Sequence, residues 1–136
     1  MIPGDPFAIE RMFNEIAPRY DLLNDLLSFG LHRLWKRRLI RALSPAKGEL
    51  WLDICCGTGD LTFQLARLIR PGKAVGVDTA VNQLEIAKKR HSKEPMLSLV
   101  FKNSNALETG LESNQFDGVT MAYGLRNVLS IPLALK

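Results

Sequence analysis

The chain has 136 residues, 46% of them hydrophobic, and a formal net charge of +4, a length that supplies one core and not two. No run approaches the ~20 apolar residues that a membrane-spanning helix needs, and the opening MIPGDPFAIERMF lacks the basic flank and unbroken apolar stretch of a secretory leader, so a cytoplasmic protein is expected. Cys55 and Cys56 are the only cysteines and are neighbours, which excludes a disulfide framework and a four-ligand zinc site and agrees with a reducing compartment.

Asp5 and Pro6 read as a helix start, and Phe7, Ile9, Met12, Phe13 and Ile16 lay an apolar stripe up to Pro18. The next stretch, RYDLLNDLLSFGLHRLWKRR, sets Tyr20, Asp21, Asn24, Ser28, His32 and Trp35 among leucines, with Gly30 breaking the run before a second helix at Leu31. Residues 32–41 hold six basic side chains, counting the histidine, and no acid, while Leu31, Leu34, Trp35, Leu39 and Ala42 recur at near-helical spacing. Such a helix is most often a solvated face; the sharper reading is a basic amphipathic helix over residues 31–43 that rests on anionic lipid headgroups. Nucleic acid is not expected, because neither aromatic interleaving nor a binding module accompanies the charge. Residues 44–48 form a linker.

Residues 50–60, LWLDICCGTGD, pass from strand-forming apolar residues into a turn with two glycines and then into a helical pattern starting near Leu61. Gly57 and Gly59 leave the backbone bare, so a ligand can lie against it, and the helix aims its free N–H groups at the same place. A dinucleotide fingerprint needs a third glycine where this chain has Thr62, which weakens an NAD reading. Asp53 stands four residues before the first glycine, where a phosphate would meet a carboxylate. A sulfonium compound without phosphate, S-adenosylmethionine, suits both facts. The plain alternative is that GTG is only a turn and Asp53 a capping residue.

Leu61, Leu65, Ala66, Leu68 and Ile69 give the following helix its inward face, ending at Pro71 and Gly72. AVGVD, residues 74–78, is a second strand closed by an acid 19 positions beyond Gly59, where a ribose diol is gripped in such units. Residues 80–90 are helical, with Leu84, Ile86 and Ala87 inward and Lys88, Lys89 and Arg90 in the last turn. Residues 97–102 read as a third strand, after which Asn105 and Ala106 could cup an adenine edge. FDGVTMAY, residues 116–123, is a fourth strand, followed by Arg126 and Asn127 at the sheet's carboxyl edge and a last helix after Pro132. Alternating helix and strand without hairpin signals predicts a parallel α/β sheet. Because four strands leave an outer edge bare, the chain reads as the amino-terminal part of a longer protein.

The spacing of Tyr20, Asp21, Asn24, Leu27, Ser28, His32 and Trp35, together with LDICCGTGDL and FDGVTMAYGLRNV, resembles the ubiquinone and menaquinone C-methyltransferase family from about residue 5 onward. The opening DPFAIERMFNEIAPRYDLLND is most similar to its cyanobacterial and plastid branch, whose members methylate demethylphylloquinone, or 2-phytyl-1,4-naphthoquinone. The resemblance implies the class I S-adenosylmethionine-dependent methyltransferase fold, a Rossmann-like parallel sheet with its carboxyl-terminal strands missing. It divides the chain into a helical substrate cap, residues 1–48, and an incomplete cofactor-binding domain, residues 49–136. It implies cofactor residues Thr58, Asp78, Asn105 and Ala106, completed by Asp53, Gly57 and Gly59, and no metal. Some relatives carry serine at Ala122, so a contact there would come from backbone or be absent.

On the acceptor side the resemblance implies a prenylated or phytylated naphthoquinol, and the family implicates Arg126 at the reacting ring, with Asn127 placing it and Tyr20 and His32 as further candidates. Arginine stays protonated, so its expected role is electrostatic. His32 could equally be a surface residue, Tyr20 and Trp35 packing anchors and Arg126 a cap on the sheet edge. The acceptor's tail lies in a bilayer, which favours a cytoplasmic enzyme peripheral at the membrane through helix 31–43. The competing functions are a non-catalytic fragment that still binds cofactor or a partner chain, a ubiquinone-type benzoquinol methyltransferase, and a nucleotide-dependent oxidoreductase. The sequence fixes no oligomeric state.

Overall fold

A computed structural model describes residues 6–16, 19, 26 and 31–122 of the chain. Among these, α1 (Pro6–Ile16) and α2 (Leu31–Leu43) precede an alternation of β1 (Leu50–Ile54), α3 (Asp60–Ile69), β2 (Lys73–Asp78), α4 (Val81–His91), β3 (Leu99–Asn103) and β4 (Gly118–Thr120). The strands form one sheet in the order β3-β2-β1-β4, and each neighbouring pair is parallel. β1 is therefore central, and the chain winds outward from it first toward β3 and then back to β4 on its other side. That reversal creates a crevice between β1 and β4 at their carboxyl ends, the place where ligands of open α/β sheets bind.

Period-two alternation along the central strands separates two apolar layers. Trp51 and Ala74 join Leu61, Phe63, Leu65, Ala66 and Ile69 of α3, with Leu97, Leu99 and the α2 residue Ile40, in one cluster. Leu52, Ile54, Val75 and Val77 face the other way, where Ala106, Leu111, Phe116 and Met121 pack against them. β1 is anchored at its start by Asp117, whose Oδ2 accepts the Leu50 N–H at 2.8 Å. Beside it the indole of Trp51 donates to Glu49 Oε2 at 2.7 Å. A side chain at Gly118 would enter this ring, its Cβ lying 2.4 Å from two ring carbons.

Several expectations shift at their edges. β4 is three residues long, and Phe116 belongs to the loop before it. Leu97 is buried but precedes β3, its N–H turned back to the Glu94 carbonyl. Leu68 is half exposed rather than inward, because the buried arc of α3 runs through positions 61, 62, 63, 65, 66 and 69 and leaves 68 beyond its edge. The largest correction concerns α2. Its buried contact is Ile40, with Leu39 partly buried beside it, whereas Leu31, Leu34 and Trp35 remain 42–47% exposed on the opposite side of the helix. The helix has an inward apolar face and an outward one.

Candidate functional site

At the carboxyl end of β1 the backbone leaves Ile54, turns through Cys55 at φ +57°, Gly57 at φ +57° and Gly59 at φ +90°, and enters α3. The positive angles at 57 and 59 are what glycine supplies at little steric cost. At Gly59 the space freed by the missing Cβ is taken by the protein itself, since a Cβ would sit 3.0 Å from Phe63 and 3.1 Å from Phe101. At Gly57 it would meet the buried Gln83 side chain at 2.7 Å. The loop's donors are also engaged internally: Gly57 N–H donates to Asp78 Oδ2 at 2.8 Å and Gly59 N–H to the Cys56 carbonyl at 3.0 Å. The two glycines thus turn their Cβ positions and their own amides toward the protein, while Gly57 still borders the hollow described below. A phosphate cradle, which depends on such N–H groups, lacks two of its donors here.

Asp53 is 2% exposed and is held between neighbouring elements. Its Oδ2 accepts the Thr62 hydroxyl of α3 at 2.7 Å and its Oδ1 the Thr120 hydroxyl of β4 at 2.8 Å. Burial raises its pKa to about 6, against the pull of those two hydroxyls and of Lys36. Asp78 closes β2, its Oδ1 accepting the Ala80 N–H at 2.9 Å while Oδ2 holds Gly57. Burial raises this carboxyl too, and the backbone donors draw it back. Two acids on adjacent strands therefore brace the glycine loop, one through the helix behind it and one through its backbone.

A hollow of about 30 Å³ opens between the loop and β4, lined by Lys36, Asp53, Cys55, Cys56, Gly57, Thr58, Asp60, Leu61 and Ala122. Asp78, Gly59, Asn105 and Ala106 do not border it. Asn105 turns its Oδ1 to the Leu107 N–H at 2.9 Å, and Ala106 packs into the second apolar layer. Tyr20, Arg126, Asn127 and the helix expected after Pro132 lie outside the described residues, and of His32 only its position within α2 is described.

Three residues that the sequence did not mark complete the site. Asp60 opens α3, where an acid is favoured by the helix dipole, and binds Lys36 Nζ at 3.3 Å through Oδ2 and Arg90 Nη1 at 2.8 Å through Oδ1. Burial pushes Asp60 upward, but Lys36 and Arg90 outweigh it and hold the carboxyl below its ordinary value. Arg90 also donates to the Thr58 carbonyl at 2.9 Å and stacks 4.7 Å from the Phe63 centroid. Asp60 carried a usable signal, an acid directly after the glycine turn; Lys36 and Arg90 were hidden among other basic residues. The thiol of Cys55 is pushed up to about 12 by burial, with Asp78 and Asp53 adding to the rise, and burial raises Cys56 as well. Both stay protonated at neutral pH and offer no nucleophile.

The sequence profile of the ubiE/COQ5 methyltransferase family matches residues 5–136. The chain belongs to this family. It is 45% identical over 130 residues to the 2-phytyl-1,4-naphthoquinone methyltransferase of Trichormus variabilis, covering 94% of this chain and 57% of that protein. It is 39% identical to the demethylmenaquinone methyltransferase of Staphylococcus aureus, over 94% of this chain and 53% of that one. The chain thus spans little more than half the length of these relatives. Among solved structures, an S-adenosylmethionine-dependent methyltransferase from Aquifex aeolicus superimposes with a TM-score of 0.67 at 18% identity, covering 74% of this chain and 54% of that one. The [4+2]-cyclase SpnF does so with a TM-score of 0.68 at 20% identity, over 74% of this chain and 37% of that one. The fold is the class I methyltransferase fold, and its sharing with a cyclase means that the fold alone does not fix a reaction.

Proposed function

We propose that the chain carries the cofactor-binding part of an S-adenosylmethionine-dependent enzyme that C-methylates a reduced, prenylated or phytylated naphthoquinone. The observation that carries this reading is the glycine loop itself: its amides are turned inward to Asp78 and Cys56, and a buried carboxylate, Asp53, borders the crevice between β1 and β4. Such a site disfavours phosphate and tolerates a cation, and 45% identity to a 2-phytyl-1,4-naphthoquinone methyltransferase supports the acceptor.

In this reading Asp53, Gly57, Thr58, Gly59, Asp78, Asn105 and Ala106 hold the cofactor, which when bound supplies a methyl group on a sulfonium for in-line displacement by a ring carbon. The protein's task is alignment and exclusion of water. The ring carbon becomes nucleophilic once the quinone is reduced and a neighbouring hydroxyl gives up its proton. Arg126 stabilises the resulting phenolate, Asn127 orients the ring, and Tyr20 and His32 serve the acceptor side within a cap formed by residues 1–48. Isothermal titration with S-adenosylhomocysteine and with NADH tests the cofactor: binding of the first alone is expected, and binding of NADH alone refutes the reading. Methylation of reduced demethylated naphthoquinone separates an active enzyme from a protein that only binds cofactor.

Among the described residues no helix is long and apolar enough to cross a membrane. The outward face of α2 nevertheless sets Leu31, Leu34 and Trp35, all exposed, among Arg37, Arg38 and Arg41. That pattern supports a cytoplasmic enzyme resting on anionic headgroups, where a tailed acceptor would be met. Flotation with anionic but not neutral liposomes is expected; equal recovery from both removes the membrane role.

A further inference from the structure

We infer that Lys36 holds the carboxylate of the cofactor's amino acid tail, and that its contact with Asp60 is the resting position of that side chain. The inference rests on the cofactor reading above. Strand order puts Asp78 on one side of β1 and β4 on the other. A ligand whose ribose lies at the β2 end therefore crosses the glycine loop and finishes on the β4 side. The hollow at that place is bordered by Asp53, Asp60, Ala122 and Lys36, and not by Asp78. Its volume of about 30 Å³ exceeds the ~10–15 Å³ that one water molecule requires, so a small polar group can enter.

The charges lining the hollow match an amino acid zwitterion. Carboxylates of Asp53 and Asp60 border it, and Lys36 is the one cation among the described residues that line it. The obvious backbone donors for an incoming carboxylate are already used, because Gly57 and Gly59 give their N–H groups to Asp78 and Cys56. Lys36 is also the exchangeable partner of Asp60. Its contact is 3.3 Å, against 2.8 Å for Arg90, and Arg90 is fixed in addition by the Thr58 carbonyl and the Phe63 ring. When Lys36 turns to a ligand, Asp60 keeps a cation. A lysine suits the exchange, carrying three donors on a flexible stem. Its side chain, 12% exposed, lies close enough to the site that the ion pair is poorly screened.

The test compares two ligands on the protein and on Lys36→Met. S-adenosylhomocysteine carries the carboxylate, and 5′-(3-aminopropylthio)-5′-deoxyadenosine differs only in lacking it. The unaltered protein is expected to prefer the first by about tenfold or more, the usual worth of a charge-assisted hydrogen bond. Lys36→Met is expected to abolish the preference by weakening the first ligand alone, and Lys36→Arg to retain part of it. A preference that survives Lys36→Met overturns the proposal. If that variant does not hold its fold, titration of the unaltered protein still decides, because equal affinity for the two ligands also overturns it. Binding of neither ligand would instead remove the cofactor reading and this inference with it.

Discussion

Asp53→Asn measures what the burial of one carboxylate costs this fold. The group is 2% exposed, and its pKa stands at about 6 against an ordinary 3.8, raised by burial and lowered in part by Thr62 and Thr120. A carboxyl whose folded value is the higher one binds its proton more tightly in the native state. Stability therefore falls as pH rises from about 3.8 to about 6 and stays flat above. At 1.36 kcal/mol per unit the shift corresponds to about 3 kcal/mol. Asparagine keeps the shape without the charge: its oxygen accepts one threonine hydroxyl, and its NH2 donates to the other. Thr120 can make that turn, since its hydroxyl already lies 3.5 Å from the Leu52 carbonyl. The variant should match the unaltered protein near pH 3.5 and exceed it by up to about 3 kcal/mol at pH 7.5, or roughly 10 °C in Tm for a domain of this size. Urea melts of both proteins at intervals from pH 3.5 to 7.5 give the difference curve. Taking the difference cancels Asp78, which is raised as well, and Asp60 and Glu94, which are lowered and lose their contribution as pH falls. A difference that does not change with pH refutes the reasoning, because it would mean that Asn alters packing or hydrogen bonding rather than relieving a buried charge.

The same carboxylate makes a prediction about the ligand. A cationic cofactor favours ionised Asp53, so S-adenosylmethionine affinity should fall as pH drops through about 6 and should lose that dependence in Asp53→Asn, as read by titration calorimetry across the range. Thr62→Val removes the 2.7 Å donor to Asp53 while keeping the volume, and should cost about 1–3 kcal/mol in urea unfolding at pH 7.5; Thr62→Ser should recover most of it, and an unchanged Thr62→Val midpoint would discount the bond. Gly118→Ala drives a Cβ to 2.4 Å from the ring of Trp51, which is 5% exposed and tied to Glu49, so a loss of about 3 kcal/mol is expected by chemical denaturation. Loss of less than about 1 kcal/mol would mean that β4 can move away from β1 cheaply.

The parallel sheet, the glycine turn and the acids at 53 and 78 were legible because each is a local pattern: an apolar run, a Gly-x-Gly, a carboxylate at a strand end. What escaped was set by neighbours far away in sequence. Lys36 meets Asp60 across 24 positions and Arg90 meets it across 30; no periodicity in a stretch of six basic side chains marks which one turns inward. The inward contact of α2 escaped for a related reason. Five apolar residues there fit a single stripe, but only the packing of Ile40 against α3 decides which side is covered. The packing around the glycines was equally out of reach. Nothing in CCGTGD says that Phe63 and Phe101 fill the space beside Gly59, because Phe101 comes from β3.

Thr62 shows how a departure from a motif can carry as much information as a match. In a dinucleotide site this position is glycine so that helix and strand approach closely. Here it is a fully buried threonine whose hydroxyl donates to Asp53. A glycine would leave Oδ2 of a buried carboxylate without its 2.7 Å partner, and an apolar strand residue at 53 would leave the hydroxyl without its acceptor. Threonine and aspartate therefore support each other, and the choice at 62 follows from the acid at 53. That acid places negative charge beside the crevice, where a pyrophosphate would be repelled and a sulfonium or ammonium group attracted. The absent third glycine and the acid within β1 are thus one structural choice, and both select against a phosphate-bearing ligand.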